Sequence, residues 1–224
     1  MNVFGLAKIK KLENYKMSSN LQYNFLDNNN PGIISPDCLQ QLGISKIENS
    51  SSKYDCYDCV YDKKRNRKGH IDGLQFDYYF ERKNFSAYGL DNLLYINIRT
   101  DDFTTFINDL NKNSSGSCEL EIIDINFDNI ELKTENVQSI VVSGIKSASI
   151  KAKALYGYKL SDNQEYQELK EQGNISSLTV EYVKDGNKYN VLISKKGSIY
   201  VMNSGVNEEE SLSIVSDVYK NLLL

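Results

Sequence analysis

The 224-residue sequence has no tryptophan, only two prolines and a single histidine. Proline cannot donate to a β-ladder, whereas tyrosine suits a half-buried pleated surface, so two prolines beside 16 tyrosines favour β-strands. The lone histidine, His70, leaves little material for a Ser–His or Cys–His catalytic arrangement. Neither a glycine-rich nucleotide-binding motif nor a nucleophile-elbow motif occurs. We therefore expect a protein that is not an enzyme and that uses no cofactor.

Long apolar runs are also missing. No stretch approaches the roughly 18 apolar residues that cross a bilayer, and the N-terminal stretch MNVFGLAKIKKLENYK is too charged for a signal peptide. Nothing besides their even number suggests that the four cysteines form disulfides. We expect a cytoplasmic protein with reduced thiols and no membrane partner. The sequence does not indicate an oligomeric state.

The charge is uneven along the chain. The net charge is −4, and residues 1–118 carry 15 basic and 14 acidic side chains, whereas residues 119–224 carry 11 and 16. The acidic second half argues against broad binding to polyanions and would suit a basic surface on a protein partner.

Hydrophobic patterning and turn residues predict the secondary structure. Loops are predicted over 26–36 and 48–53, and a hairpin connection over 63–73. The predicted strands are 3–12, 53–62, 73–82, 93–100, 118–127, 129–134, 137–145, 147–160 and three strands within 176–203 that turn at Asp185-Gly186 and Lys196-Gly197. The predicted helices are 37–43, 100–112 and 207–224, the last with Asn207 as N-cap, and 161–173 is predicted to be a short helix or an ordered loop.

Strands followed by a helix in each half predict an α+β fold, in which antiparallel sheets are each covered by helices. The Asn-, Ser- and Gly-rich stretch 113–117 is a predicted linker. It separates an N-terminal α+β subdomain, residues 1–112, from a C-terminal antiparallel sheet with a C-terminal helix, residues 118–224. The two halves are expected to be similar meander-then-helix subdomains.

The stretch DCYDCVYDKKRNRKGH, residues 55–70, holds the densest group of reactive and basic side chains. A zinc site needs both thiols of a C-x-x-C pair on one side, but residues i and i+3 of a strand face opposite sides. We therefore predict no metal at Cys56 and Cys59. A Tyr-lined strand that enters a basic loop is a candidate contact surface, although most such loops are simply solvated. Its members are Tyr57, Tyr61, Lys63, Lys64, Arg65, Arg67 and Lys68, and a second candidate contact comprises Lys195, Lys196 and Tyr200.

Residues 176–223 resemble the closing part of a TATA-binding-protein lobe, including its divergent versions in large DNA viruses. The similar pattern is two strands, the Lys195-Lys196-Gly197 turn, a strand over 198–202, a corner at Ser204-Gly205 and a helix with an acidic start. Residues 143–160 would correspond to the first strand of the lobe and the region after it. The resemblance implies a sheet that faces DNA.

The sequence departs from this family where the resemblance places DNA-contacting residues. Ile175 and Ser194 lie near the positions of kinking phenylalanines, and Gly144 stands where the family has an asparagine. The resemblance therefore implies a lobe-like fold more strongly than it implies TATA binding.

The N-terminus is similar to that of plasmid mobilisation relaxases of the Mob/Pre type, through Val3, Lys8, Lys10, the pair Asn30-Pro31 and Ile33. Asn20 stands where that family is expected to have a catalytic histidine, and the later histidine-rich metal motif is absent. The similarity therefore implies a chain without relaxase activity.

The sequence favours a non-enzymatic binding protein that acts through contact with a protein partner. Its wealth of lysine, asparagine and tyrosine is typical of an AT-rich genome and suggests a virus or a mobile element. The alternative is a divergent TATA-binding-protein-like transcription protein that binds nucleic acid.

Overall fold

The computed structural model describes residues 2–26, 34–48, 53–71, 74–134, 136–145 and 149–224, and it describes only the main chain of residues 20–26, 34–38, 71 and 74. Within these ranges the chain is of mixed α+β class with mainly antiparallel strands, so the predicted class is confirmed. None of the helices in these ranges is both long enough and apolar enough to span a bilayer.

The strands are β1 (Val3–Leu12), β2 (Tyr15–Leu26), β3 (Ile34–Lys46), β4 (Asp55–Arg65), β5 (Gly69–Ile71), β6 (Leu74–Phe76), β7 (Tyr79–Leu90), β8 (Leu93–Asn97), β9 (Cys118–Ile122), β10 (Val137–Ser143), β11 (Ala152–Tyr156), β12 (Asn174–Lys184), β13 (Asn187–Ser194) and β14 (Ser198–Val201). The α-helices are α1 (Thr100–Asn113), α2 (Phe127–Lys133), α3 (Gln164–Glu171) and α4 (Glu208–Val218). A 3₁₀ turn covers Leu160–Asp162, and a π-helical turn covers Tyr219–Leu223.

Contacts within the chain divide it into two compact units. Unit 1 comprises Met1–Ala7, Asn97–Thr100 and Ile122–Leu224, and unit 2 comprises Lys8–Ile96 and Asp101–Glu121. The predicted linker, residues 113–117, lies within unit 2, between α1 and β9.

In unit 2, four strands form a closed circuit. β3 pairs with β2 on one side and β4 on the other, and β4 pairs with β7 from Asp55↔Gly89 to Arg65↔Tyr79. β7 returns to β2 through one parallel pair, Phe25↔Phe80. Helix α1 contacts the circuit through Phe106, whose ring centroid lies 5.7 Å from that of Tyr61 and 5.0 Å from that of Phe85. These edge-to-face contacts position α1 against β4 and β7.

In unit 1, antiparallel strands follow the order β11-β10-β12-β13-β14-β1. The predicted turns are confirmed: Asp185 and Gly186 both have positive φ, as a type I′ hairpin requires, and Gly197 has φ +77°. A Cβ at Gly197 would lie 2.8 Å from the carbonyl oxygen of Ile123, so glycine is needed there for close backbone approach as well.

The C-terminal helix is also confirmed. Asn207 accepts a hydrogen bond from the N–H of Glu210 at 2.8 Å, as an N-cap does. Leu212, Val215 and Val218 recur at helical spacing and are all buried. Tyr182 on β12 donates to Asp217 at 2.6 Å, which ties α4 to the sheet of unit 1.

Three secondary-structure predictions were wrong. Residues 37–43 lie in β3 and form no helix; Gly43 is there because a Cβ would approach the carbonyl oxygen of Tyr15 to 2.8 Å, not because a helix stops. Residues 129–134 fall in or beside α2, whose buried Phe127 and Ile130 follow helical spacing. The hairpin connection predicted over 63–73 is partly strand, because β4 continues through Arg65 and 69–71 form β5. Most of the loops predicted over 26–36 and 48–53, including Asn30, Pro31 and Ile33, lies outside the described residues.

Candidate functional site

Two of the basic residues at the end of β4, Lys63 and Arg65, are held in an internal ion-pair network. Lys63 donates to Asp102 at the start of α1, and Lys83 on β7 lies 2.9 Å from the other carboxylate oxygen of Asp102. Arg65 donates to Glu81 at 2.8 Å. The Asp102 side chain is only 3% exposed. Burial acts to raise the pKa of Asp102, but hydrogen bonds and charge from Lys63 and Lys83 outweigh it and hold that pKa below its ordinary value.

The remaining members of the first candidate contact surface divide by exposure. Tyr57 and Tyr61 are buried, and the Tyr61 hydroxyl donates to Asp109 at 2.9 Å. Lys64 is exposed, with its ammonium 4.0 Å from the centroid of the Tyr78 ring. Arg67 and Lys68 are exposed on the turn before β5. The side chains of this set that reach solvent most fully are therefore those of Lys64, Arg67 and Lys68.

The cysteines and the histidine lie on strands. Cys56 and Cys59 belong to the extended strand β4, as predicted, and Cys59 is buried. Burial raises the pKa of Cys59, so its thiol stays protonated and is a poor nucleophile. His70 is exposed on β5 opposite Gln75, not in the loop that the sequence predicts. Among the described residues, no three or more His, Cys, Asp or Glu side chains are grouped to hold a metal ion.

The second candidate contact lies around the turn between β13 and β14. Lys195 and Lys196 are exposed in this turn. Tyr200 is partly exposed on β14, where it pairs with Leu192 on one side and Val3 on the other.

A polar groove of about 650 Å³ lies on the strands of the closed circuit in unit 2. Its lining residues are Lys16, Gln41, Gly43, Ser45, Asp58, Cys59, Val60, Asn84, Phe85 and Ser86. Ligand pockets are mostly apolar with a few directed polar groups, whereas this lining is mostly polar. Among the described lining residues there is no histidine, and burial raises the pKa of Cys59, so this thiol is a poor nucleophile.

Strand β11 of unit 1 is an exposed edge that the sequence did not single out. Ala152, Lys153, Ala154 and Tyr156 are all exposed, with Tyr156 at 74%. Tyr158, just beyond the strand, is 68% exposed. Isolated exposed apolar side chains are ordinary, but two exposed tyrosines beside an edge strand form a surface rich in contact-prone groups.

The main chain of β11 is paired on one side only. Gly144 donates to the carbonyl of Lys151 at 3.1 Å, and Gly157 donates to the carbonyl of Gln138 at 2.9 Å. In an antiparallel pair, alternate residues turn their N–H and C=O groups towards the partner strand. Residues 151, 153, 155 and 157 therefore face β10, and the main-chain groups of Ala152, Ala154 and Tyr156 point outwards. Within the described part of the chain, these outward groups form no hydrogen bond.

The segment after β11 is held in a defined conformation. Lys159 has φ +50°, a left-handed conformation that is costly for a residue with a Cβ. Its N–H donates to the side-chain oxygen of Asn136 at 3.0 Å, which stabilises the turn. Its ammonium lies 5.9 Å from the centroid of the Tyr158 ring. Tyr158 and Lys159 are thus held beside the exposed edge.

The charge of this edge is opposite in sign to that of the surrounding sequence. Residues 149–160 contain three lysines and no aspartate or glutamate, although residues 119–224 carry a net charge of −5. No ion pair forms at Lys151, Lys153 or Lys159 among the residues that the structure describes. Lys153 instead donates to the neutral side chain of Gln172 at 2.7 Å. The alternation of lysine and alanine over 151–154 was the available sequence signal.

Comparison with known proteins places the chain in no family, since no protein-family model matches it and a search of curated proteins finds no match.

Proposed function

We propose that the protein is a non-enzymatic binding protein that acts through contact with a protein partner. The observation that carries this proposal is the exposed edge of β11, where three residues present unpaired main-chain groups beside Tyr156 and Tyr158. Strand addition at such an edge is a common way in which one protein captures another. The protein works inside the cell, and its composition suits a virus or a mobile element with an AT-rich genome.

The experiment is a quantitative pull-down from cells of the natural host, with a double variant as control. The tagged protein should capture one partner in stoichiometric amount, and Tyr156→Ala with Tyr158→Ala should lose most of that partner. Both tyrosines are largely exposed, so the variant should fold and melt as the wild type does. If the wild type and the double variant captured equal amounts of the partner, the surface around Tyr156 and Tyr158 would not be the binding site. Absence of any stoichiometric partner would contradict the function.

A second candidate function is divergent TATA-binding-protein-like binding of nucleic acid. It is favoured by the sheet face of unit 1 on which Ser177, Thr179, Leu192 and Tyr200 lie together in register. Three of these side chains are partly exposed, and Lys195 and Lys196 lie exposed nearby in sequence.

A gel-shift titration separates the two candidates. Nucleic-acid binding should weaken steeply with salt and should fall when Lys195 and Lys196 become alanine. Lys10→Ala serves as a matched control, because this exposed lysine lies in unit 2 and pairs with Glu121. Absence of a shift at low salt would remove this second function.

A further inference from the structure

We infer that β11 accepts an extended, acidic segment of the protein partner as an added β-strand. This inference rests on the proposed function and names the chemistry of the partner. The occupant follows from two properties of the edge, its outward main-chain groups and its uncompensated lysines.

The main chain sets the mode of binding. Ala152, Ala154 and Tyr156 direct three N–H and three C=O groups outwards, which is the pattern that a neighbouring strand pairs with. β11 ends the strand order of unit 1, and within the described residues no other strand pairs with this side.

The side chains set the charge of the occupant. Lys151, Lys153 and Lys159 are exposed on or beside the edge, and none of them is neutralised by a carboxylate of the described chain. Opposite charges on adjacent strands stabilise their pairing, and like charges oppose it. An acidic strand is therefore favoured.

The same charges argue against a second copy of this chain as the occupant. Two β11 edges brought together would place two lysine-bearing strands beside each other without a counter-ion. Lysine on an exposed edge is a usual protection against such edge-to-edge association. The charge of the edge therefore favours pairing with an acidic segment and disfavours pairing with β11 of a second copy.

The test measures binding of a labelled peptide to the full chain by fluorescence anisotropy. The peptide alternates valine with aspartate or glutamate over about six residues, the length of a common strand. A second peptide carries lysine in place of every acidic residue. Wild-type protein should bind the acidic peptide and not the basic one.

Ala154→Pro is the decisive variant. Proline removes the outward N–H of residue 154 and leaves the bonds to β10 intact, because residue 154 does not donate to β10. Affinity for the acidic peptide should fall at least about tenfold, since a donor is lost and the ring obstructs the edge. Ala154→Val keeps the N–H and is the matched control, which should bind as the wild type does. Circular dichroism and melting temperature check that both variants fold.

Charge reversal tests the second property. Lys151→Glu with Lys153→Glu should exchange the preference, so that the basic peptide binds and the acidic peptide does not. Wild-type affinity in Ala154→Pro, or an unchanged preference after charge reversal, would overturn the inference. Binding of oligothymidylate by the wild type would assign the edge to nucleic acid instead, provided that the charge-reversal variant loses this binding and Ala154→Pro keeps it. A dimer in the ultracentrifuge that Ala154→Pro dissociates would assign it to a second copy.

Failure of the inference and failure of the proposed function have different signatures. Suppose that neither the wild type nor any variant binds the acidic peptide, but the wild type captures a partner that the Tyr156→Ala, Tyr158→Ala variant loses. These results would contradict the acidic-strand inference and would still support the proposed function. If the acidic peptide binds as described but no partner is captured from the host, the proposed function is contradicted. The preference of β11 for an acidic strand is then still supported.

Discussion

Lys63 and Lys83, on β4 and β7, carry the same charge as the lysines on and beside β11 but have different environments. Lys63 and Lys83 converge on the buried carboxylate of Asp102, and each side chain is less than a fifth exposed. Lys151 and Lys153 are exposed and have no acidic partner among the described residues. A run of basic residues in the sequence therefore does not by itself indicate a contact surface. Within this chain, two members of the denser run, Lys63 and Arg65, form internal ion pairs. Its other three basic side chains are exposed, as are the lysines on and beside β11.

The largest expected effect comes from removing the carboxylate at the centre of the buried group. Asp102→Ala leaves Lys63 partly buried without its carboxylate partner and leaves Lys83 with Glu81 alone, so the free energy of unfolding should fall by about 3–5 kcal/mol. Urea denaturation measures this. Asp101→Ala is the matched control, since this neighbouring acid is exposed in the first turn of α1, where an acidic side chain contributes under about 1 kcal/mol through the helix dipole. Similar losses in both variants would remove the distinction between buried and exposed charge.

Acidification should remove part of the same stabilisation. Because the folded protein holds the pKa of Asp102 below its ordinary value near 4, the carboxylate stabilises the fold above its unfolded-state pKa. This contribution is lost as the pH falls through the lower folded-state pKa. Wild-type stability should therefore decline more steeply below about pH 4 than that of Asp102→Asn, as urea titrations at several pH values would show. Parallel profiles would contradict this account.

The two groups of lysines should also differ in their contribution to stability. Lys63→Ala leaves one oxygen of Asp102 without its donor, which should cost about 1–3 kcal/mol. Lys151→Ala removes an exposed side chain without an ion pair, so its effect on unfolding should stay within about 0.5 kcal/mol. Guanidinium chloride denaturation of both variants makes the comparison. It would fail if Lys151→Ala were the more destabilising change.

The smallest expected effect concerns the tyrosines of the two regions. Tyr61→Phe removes the hydroxyl that the buried Tyr61 donates to Asp109, so we expect a loss of about 0.5–1.5 kcal/mol. Tyr156→Phe should change stability by less, because the Tyr156 side chain is 74% exposed. Thermal unfolding monitored by circular dichroism resolves the difference. Equal melting temperatures for the two variants would show that the Tyr61 hydroxyl does not stabilise unit 2.

Local sequence signals predicted the elements that depend on local interactions. α1 was predicted from the spacing of Phe103, Phe106 and Leu110, all of which are buried. The α4 cap and the turn at Asp185-Gly186 were likewise identified, because capping and positive φ are properties of a few neighbouring residues. The error at 37–43 arose because the close approach of Tyr15 to Gly43 is a long-range contact.

The candidate site was harder to predict for the same reason. Whether a lysine is neutralised depends on residues far along the chain, such as Asp102 for Lys63. Whether β11 lies at an edge depends on the strand order of unit 1, to which even residues 3–5 contribute. The alternation of lysine and alanine over 151–154 is visible in the sequence. Only the pairing of β10 with β11 on one side and β12 on the other shows that these residues lie at the edge of the sheet.

The pairing of Val3, Phe4 and Gly5 with Tyr200, Ile199 and Ser198 has a consequence for synthesis on the ribosome. Residues 3–5 are translated among the first, but their partners follow only near the end of the chain. Every residue of unit 2 has been made by Glu121, so that unit can form while unit 1 still lacks most of its strands. Val3, Phe4 and Gly5 can pair with β14 only after residues 198–200 have been translated. A nascent chain stalled before residue 198 would therefore contain every residue of unit 2 but only part of unit 1.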